Sequence, residues 1–250
     1  WRLTVVSSET LRTKSRSEFV YDTLRDAIWE GRIARGERIR EEEIARSLGV
    51  SRTPVREALQ RLQERGLLTV GTGRSLVVVE LSAQQILELY AMRELLEGAA
   101  ARFAAQHAAK AEIAMLNRIL DEFATAWDDP KRLITLNRHF HKAICEAAHN
   151  RYLTETLNNL HDALALLHAN TFRVPNRPRE TDAEHRRIVV AIAQSDPDQA
   201  EEAAREHIRQ AQRTRFEMLM ASEHPGERAA QLVPRRTTNP IRRAGRDHPL

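Results

Sequence analysis

The stretch that most constrains this 250-residue chain is Ser51 to Leu62, SRTPVREALQRL, with the turn before it. Val55, Ala58, Leu59 and Leu62 recur at i, i+3, i+4 and i+7, the stripe of a helix with one buried face. Arg52, Thr53, Arg56 and Gln60 fall within about 100° of one another on the open side. Ser51 or Thr53 can cap the start, and Pro54 suits a first helical turn, where its missing N–H is not needed. Upstream, Glu41 to Leu48 predicts a short helix with Ile44, Ala45 and Leu48 inward. Ala45, Gly49 and Val55 then stand where two crossing helices need a small residue, a left-handed turn and an apolar wedge. That spacing predicts a helix-turn-helix.

The flanks extend the motif. Phe19, Val20, Leu24, Ala27 and Ile28 make another amphipathic helix, ending near Gly31. Leu67 to Val70 and Ser75 to Val79 are β-prone runs around Gly71-Thr72-Gly73-Arg74, a hairpin turn with a basic tip. Three helices and a hairpin make a winged helix-turn-helix over residues 16–80. A helix start carrying two guanidinium groups and free backbone N–H groups suits phosphates and guanine edges. For two arginines on one helix, taken alone, a solvated basic face is the commoner reading.

Leu24 to Leu68, LRDAIWEGRIARGERIREEEIARSLGVSRTPVREALQRLQERGLL, resembles the GntR family of bacterial transcription regulators. The resemblance implies that Ser51, Arg52, Thr53 and Arg56 touch DNA and that the wing tip, Thr72 and Gly73, enters the minor groove. Arg40 and Arg46, flanking Glu41-Glu42-Glu43, are expected on phosphates rather than bases. Some relatives carry arginine where this chain has Glu42, so that contact is not carried over.

The length suffices for two domains with sizeable cores. With 42% hydrophobic and only 5% aromatic residues, the composition is that of a helix-rich globular chain. No run approaches the ~18 apolar residues of a membrane span. The start at Trp1 is expected to be a trimmed N-terminus, and it lacks a signal peptide's apolar core. A single cysteine, Cys145, excludes an internal disulfide and fits a reducing cytoplasm. Net charge is +3 over residues 1–80, −2 over 81–221 and +3 over 222–250, which fits nucleic-acid contact by the first part.

Residues 1–15 are expected to be a flexible arm. Ser82 and Gln85 form a capping-box signature before a long helix, Ile86 to Ala105. Helical patterns follow near 110–126, 130–148, 151–172, 180–195 and 198–221, punctuated by Asp128-Asp129-Pro130, Asn150, Pro175 to Pro178 and Asp196-Pro197. Short links predict an antiparallel bundle of six to seven helices over 81–221. The fold class is mainly α, and the tail 222–250 is expected to be disordered and basic.

This second domain carries a histidine constellation. Leu133, Asn137, Phe140, His141, Ile144 and Ala148 form one stripe, His185 shares a face with Ile188, Val189 and Ile192, and His207 lies with Ala200, Ala203, Ala204 and Ala211. Three helices thus point imidazoles inward, where an unsatisfied polar group costs roughly 1 to 3 kcal/mol. Hydrogen-bonding partners would satisfy them, and so would a shared metal ion.

NRHFHKAICEAAHN, EHRRIVVAI and AREHIRQ resemble the FCD effector domain of the FadR branch of the same family. In that domain an Asp-x-x-x-His pair and two later histidines hold a divalent metal beneath a small-molecule pocket. The matching positions are Asn137, His141, His185 and His207. Asn137 replaces the aspartate, which should weaken the metal and leave more positive charge facing the pocket. Zinc and nickel are the expected ions, with cobalt and manganese compatible.

Arg93 and Glu97 lie on the stripe Ile86, Tyr90, Arg93, Glu97, Ala101. They read either as an i,i+4 ion pair, worth roughly 0.3 to 0.5 kcal/mol if exposed, or as effector-binding groups, with Arg93 forking a ligand carboxylate. His161 and His168 share a face of the 151–172 helix and could line the pocket, although surface or hydrogen-bonded positions are expected. Cys145 is expected in the core, with stray metal ligation as the alternative; His107, His139, His149, His224 and His248 have no stripe. The sequence therefore predicts a ligand-responsive, homodimeric, double-stranded-DNA-binding repressor that senses a small carboxylate through a metal-containing helical domain and is not an enzyme. The alternatives are a metal-free regulator and, against the lack of an evident general base, a metal-dependent hydrolase.

Overall fold

The computed structural model describes residues 15–167 and 170–223, with Arg74, Ser222 and Glu223 described by backbone alone. The expected arm up to residue 14, His168, His224, His248 and the tail beyond 223 lie outside the described residues.

The first part is a winged helix-turn-helix. Helix α1 (Arg16–Trp29) is capped by Ser15, whose hydroxyl accepts from the Glu18 N–H. Helix α2 (Glu41–Leu48) stops at Gly49, whose φ of 65° is a left-handed conformation glycine adopts without strain. Helix α3 (Arg52–Glu64) buries Val55, Ala58, Leu59 and Leu62, as the stripe requires. Ser51 occupies the N-cap position, but its side chain makes no capping bond. Strands β1 (Arg38–Ile39), β2 (Leu68–Val70) and β3 (Leu76–Val78) form an antiparallel sheet in the order β1-β3-β2. Leu68 faces Val78 and Val70 faces Leu76 across the hairpin. Strand β1 was not expected, and it extends the wing by one strand.

The second part holds α4 (Ala83–His107), α5 (Lys110–Ala124), α6 (Pro130–Ala147), α7 (Arg151–Ala163), α8 (Arg177–Ala193) and α9 (Pro197–Glu223). The capping box at Ser82 and Gln85 forms as expected. The expected single helix over 151–172 does not form. Helix α7 ends at Ala163, and 3-10 turns at Leu164–Leu166 and Thr171–Arg173 follow. The reason is tertiary: Ala165 and Leu166 are buried in the core of the winged head, while Leu167 packs with Ile86, Leu89 and Tyr90 of α4. One straight helix could not serve both cores. Asn170 stabilises the break, accepting from the Phe172 N–H at 2.9 Å and donating to the Pro130 carbonyl at 3.0 Å.

Two polar contacts also tie the head to the helical body. The Tyr21 hydroxyl donates to Asp162 Oδ2 at 3.1 Å, and Arg138 Nη1 lies 3.3 Å from Asp26 Oδ1. Burial, and then the charge of Asp162, push the Tyr21 phenol up to about 12. Among the described residues no helix is long and apolar enough to cross a membrane.

Candidate functional site

The head presents its polar residues outward. Arg40, Arg46, Ser51, Arg52, Thr53 and Arg56 are exposed, as are Thr72 and Gly73 at the tip of the wing. Arg52 pairs with Glu42 at 2.8 Å, Arg56 with Glu41 at 2.9 Å and Arg40 with Glu43 at 2.9 Å. The acidic start of α2 thus holds these arginines. Exposed pairs of this kind are worth at most about 1 kcal/mol, so a phosphate can displace the carboxylates at little cost. At the wing, Gly73 adopts a φ of 72°, and Arg38 donates to the Thr72 carbonyl and hydroxyl, each at 3.1 Å.

The interior site begins with three histidines on three helices. Coordinating atoms of His141 on α6, His185 on α8 and His207 on α9 all lie within 4.8 Å of one another, and all three side chains are buried. His141 Nδ1 is 2.6 Å from Glu97 Oε2, and His207 Nδ1 is 2.7 Å from Glu184 Oε2. The opposite nitrogens of these rings, both Nε2, face each other at 3.4 Å. His185 is wholly buried with neither ring nitrogen partnered. Phe140 stacks on it at 4.0 Å between centroids, and the Phe123 ring meets it edgewise at 5.6 Å.

These residues fit a divalent ion. Two nitrogens bound to one tetrahedral ion at ~2.05 Å sit about 3.3 Å apart, close to the observed Nε2 separation. Unpartnered buried nitrogens on His185 supply a third donor that nothing else satisfies. Burial lowers His141 to about 4, against the pull of Glu97, and lowers His185 well below the usual imidazole value. Both are therefore neutral near pH 7, the form that binds metals. For Glu97 burial acts upward, but Arg93 and His141 outweigh it and hold the carboxyl well below its usual range.

Beside the histidines lies a cavity of about 140 Å³. Asn137, one helical turn before His141, lines it, as do His141, His161 and His207. Arg93, Arg138, Arg177 and Arg215 also reach its wall, and among the described residues lining it none is acidic. Glu97 lies deeper, with Arg93 Nε donating to its Oε1 at 2.7 Å. The Arg93–Glu97 pair is buried rather than exposed, so the estimate for a surface pair does not apply. His161, read from the sequence as pocket-lining or, preferably, surface or hydrogen-bonded, lines the cavity with its Nε2 3.5 Å from Glu97 Oε1. Cys145 packs in the core, where burial pushes its thiol up. Sequence reasoning missed Arg177 and Glu184. Arg177, Thr181, Glu184 and Ile188 recur at helical spacing and all are buried, but only Ile188 marks that face as inward in the sequence. It also missed Trp29 of α1, which brings the head into the cavity wall.

A winged helix-turn-helix head joined to a helical body with a buried histidine cluster and a basic cavity is the architecture of a transcription regulator. Residues 16–78 match the bacterial regulatory proteins of the gntR family, and residues 88–210 match the FCD domain. The chain is 30% identical over 191 residues to the uncharacterized HTH-type transcriptional regulator YdhC of Bacillus subtilis, covering 75% of this chain and 84% of that protein. It is 28% identical to the Glc operon transcriptional activator of Escherichia coli K12, covering 83% and 91%. The E. coli McbR/YncC structure superposes with a TM-score of 0.75 at 24% identity, covering 83% of this chain and all of that one. This chain belongs to the GntR family of bacterial transcription regulators, and its second part is an FCD domain.

Proposed function

We propose that this regulator is a ligand-responsive repressor whose effector is a small organic acid, bound in the cavity beside a divalent metal held by His141, His185, His207 and Asn137. The observation that carries this reading is the cavity, with four arginines and no acidic group among its described lining residues, set against the paired Nε2 atoms. A bound divalent ion would add positive charge and open positions for a carboxylate. Zinc or nickel suits the nitrogen-rich donor set. Arg93 forks the acid from the α4 side.

Occupancy reaches DNA through shared structure. Trp29 of α1, Leu164 and Ala165 line the cavity, while Ala165 and Leu166 belong to the core of the head. A ligand that shifts this turn shifts α1, against which α3 packs, and so biases the pose of the recognition helix. A homodimer sets two such helices in successive major grooves, about 34 Å apart. Leu87, Met92 and Leu95, exposed on α4, offer apolar surface to a second copy. Ser51, Arg52, Thr53 and Arg56 read the groove, Arg40 and Arg46 grip phosphates, and Thr72 and Gly73 enter the minor groove. A hydrolase reading is disfavoured because Glu97 and Glu184 are each engaged by an arginine and a histidine.

The test starts from an operator selected out of randomised duplexes with the full-length protein. Fluorescence anisotropy then follows release by metal-loaded protein across a panel of mono-, di- and tricarboxylates. Release by at least one acid is expected, lost on chelation or in Arg93→Ala while DNA binding persists. Unchanged DNA binding in Arg52→Ala and Arg56→Ala sinks the DNA assignment. Acid-enhanced binding reverses the sign to that of an activator.

A further inference from the structure

Behind the cavity stand two buried Arg–Glu–His chains, joined by a hydrogen bond at Glu184–His207 and by a close ion-pair contact at Glu97–His141. On one side Arg93 Nε donates to Glu97 Oε1 at 2.7 Å, and Glu97 Oε2 lies 2.6 Å from His141 Nδ1. On the other, Arg177 grips Glu184 with both terminal nitrogens, at 2.6 and 2.8 Å, and Glu184 Oε2 lies 2.7 Å from His207 Nδ1. All four charged residues are buried, none more than 6% exposed. Burying ions costs several kcal/mol each, and well-packed apolar residues would serve stability as well or better. Fold stability therefore does not account for two such chains.

We infer that Glu97 and Glu184 are positioning residues that fix the proton of His141 and His207 on Nδ1 and so aim both Nε2 lone pairs at one cation. The inference rests on the metal reading above and extends it to the groups behind the ligands. An ionised carboxylate only accepts hydrogen bonds, so the imidazole nitrogen beside it carries the hydrogen. Each Nε2 then bears a lone pair, and the two nitrogens stand 3.4 Å apart, an arrangement that a cation between them relieves. Arg93 and Arg177 each hold one of these carboxylates in hydrogen-bond contact, and a guanidinium at that distance favours the ionised form. They also cancel the carboxylate charge, so a cation at the three imidazoles faces the cavity with its own charge uncompensated by its ligands. His185 is held differently, by Phe140 and Phe123, and needs no carboxylate.

The experiment measures zinc affinity of the full-length protein by competition with a chromogenic chelator, and the visible spectrum of the cobalt-loaded protein. Glu97→Gln and Glu184→Gln are expected to weaken zinc about 10- to 100-fold, the usual effect of losing an outer-shell partner, and to alter the cobalt bands. A single change leaves an arginine buried without its carboxylate, so the paired variant Arg177→Met/Glu184→Gln supplies the charge-balanced comparison and is expected to show the same loss. Glu112→Gln, which removes the partner of the exposed His149, should leave affinity unchanged. Nitrogen-15 spectra of the metal-free protein are expected to show His141 and His207 protonated at Nδ1. Wild-type affinity in a folded paired variant, or protons on Nε2, overturns the positioning role alone. A wild-type protein that binds neither zinc nor cobalt overturns the metal reading and the positioning role together.

Discussion

Replacing His185 by leucine should raise the stability of the metal-free protein while abolishing its response to metal. His185 is fully buried, and neither nitrogen has a partner. Each unsatisfied polar group costs roughly 1 to 3 kcal/mol, so the pair costs about 2 to 6 kcal/mol without an ion. Losing the stack on Phe140 gives back about 0.5 to 1.5 kcal/mol, and imperfect repacking up to about 1.5 kcal/mol. Taken at mid-range, these terms leave a net gain for His185→Leu of about 2 kcal/mol, which in a chain of this size lifts the melting temperature by roughly 4 to 8 °C. Metal does the opposite. A ligand at a hundred times its dissociation constant stabilises the wild type by about 2.7 kcal/mol, some 5 to 10 °C on the same scale, and should leave the leucine variant unmoved. Differential scanning fluorimetry with and without zinc, after chelator treatment, reads both numbers. A metal-free variant that melts below wild type, or one that still gains on zinc addition, refutes the argument that His185 is an unsatisfied donor waiting for a cation.

Two further outcomes follow. His141 titrates near 4 in the folded protein against an ordinary value of 6.5, so the unfolded chain takes up the proton first as pH falls. The stability of the metal-free protein is therefore complete above about 6.5 and declines as pH drops toward 4, by on the order of 3 kcal/mol from this group; urea titrations at pH 7.5 and 4.5 check it, and a flat profile contradicts it. Leu166→Ala, in the turn that enters the head core, should cost about 2 to 5 kcal/mol and weaken operator binding while leaving zinc affinity at the wild-type level. Equal loss of zinc affinity would mean that the turn supports the metal site instead.

Much of this architecture was legible because its determinants are local. The α3 stripe, the left-handed Gly49 and the Ser82–Gln85 capping box each specify structure within a few residues, and each forms, apart from the absent side-chain cap at Ser51. The inward histidines were legible for the same reason, since 3.6-residue periodicity sets the face. What escaped depends on partners far along the chain. Leu164–Leu167 continues an apolar helical pattern, yet the helix breaks there because two separate cores claim its side chains. Arg177 and Glu184 look like a solvated charged face until His207 on another helix buries them. Trp29 ends α1 with no mark that it lines a cavity in the second part.

The turn at Leu164–Leu166 bears on how far the DNA-binding head can be treated as a portable module. Ala165 and Leu166, each 2% exposed, close a core whose other buried members all fall between Phe19 and Val78. A fragment cut after residue 80 would leave that core open to water where the two side chains belong. Chimeras that graft this head onto another sensor need an equivalent plug from the new partner. Modularity here is a property of the sequence order, and the cooperative folding unit crosses it.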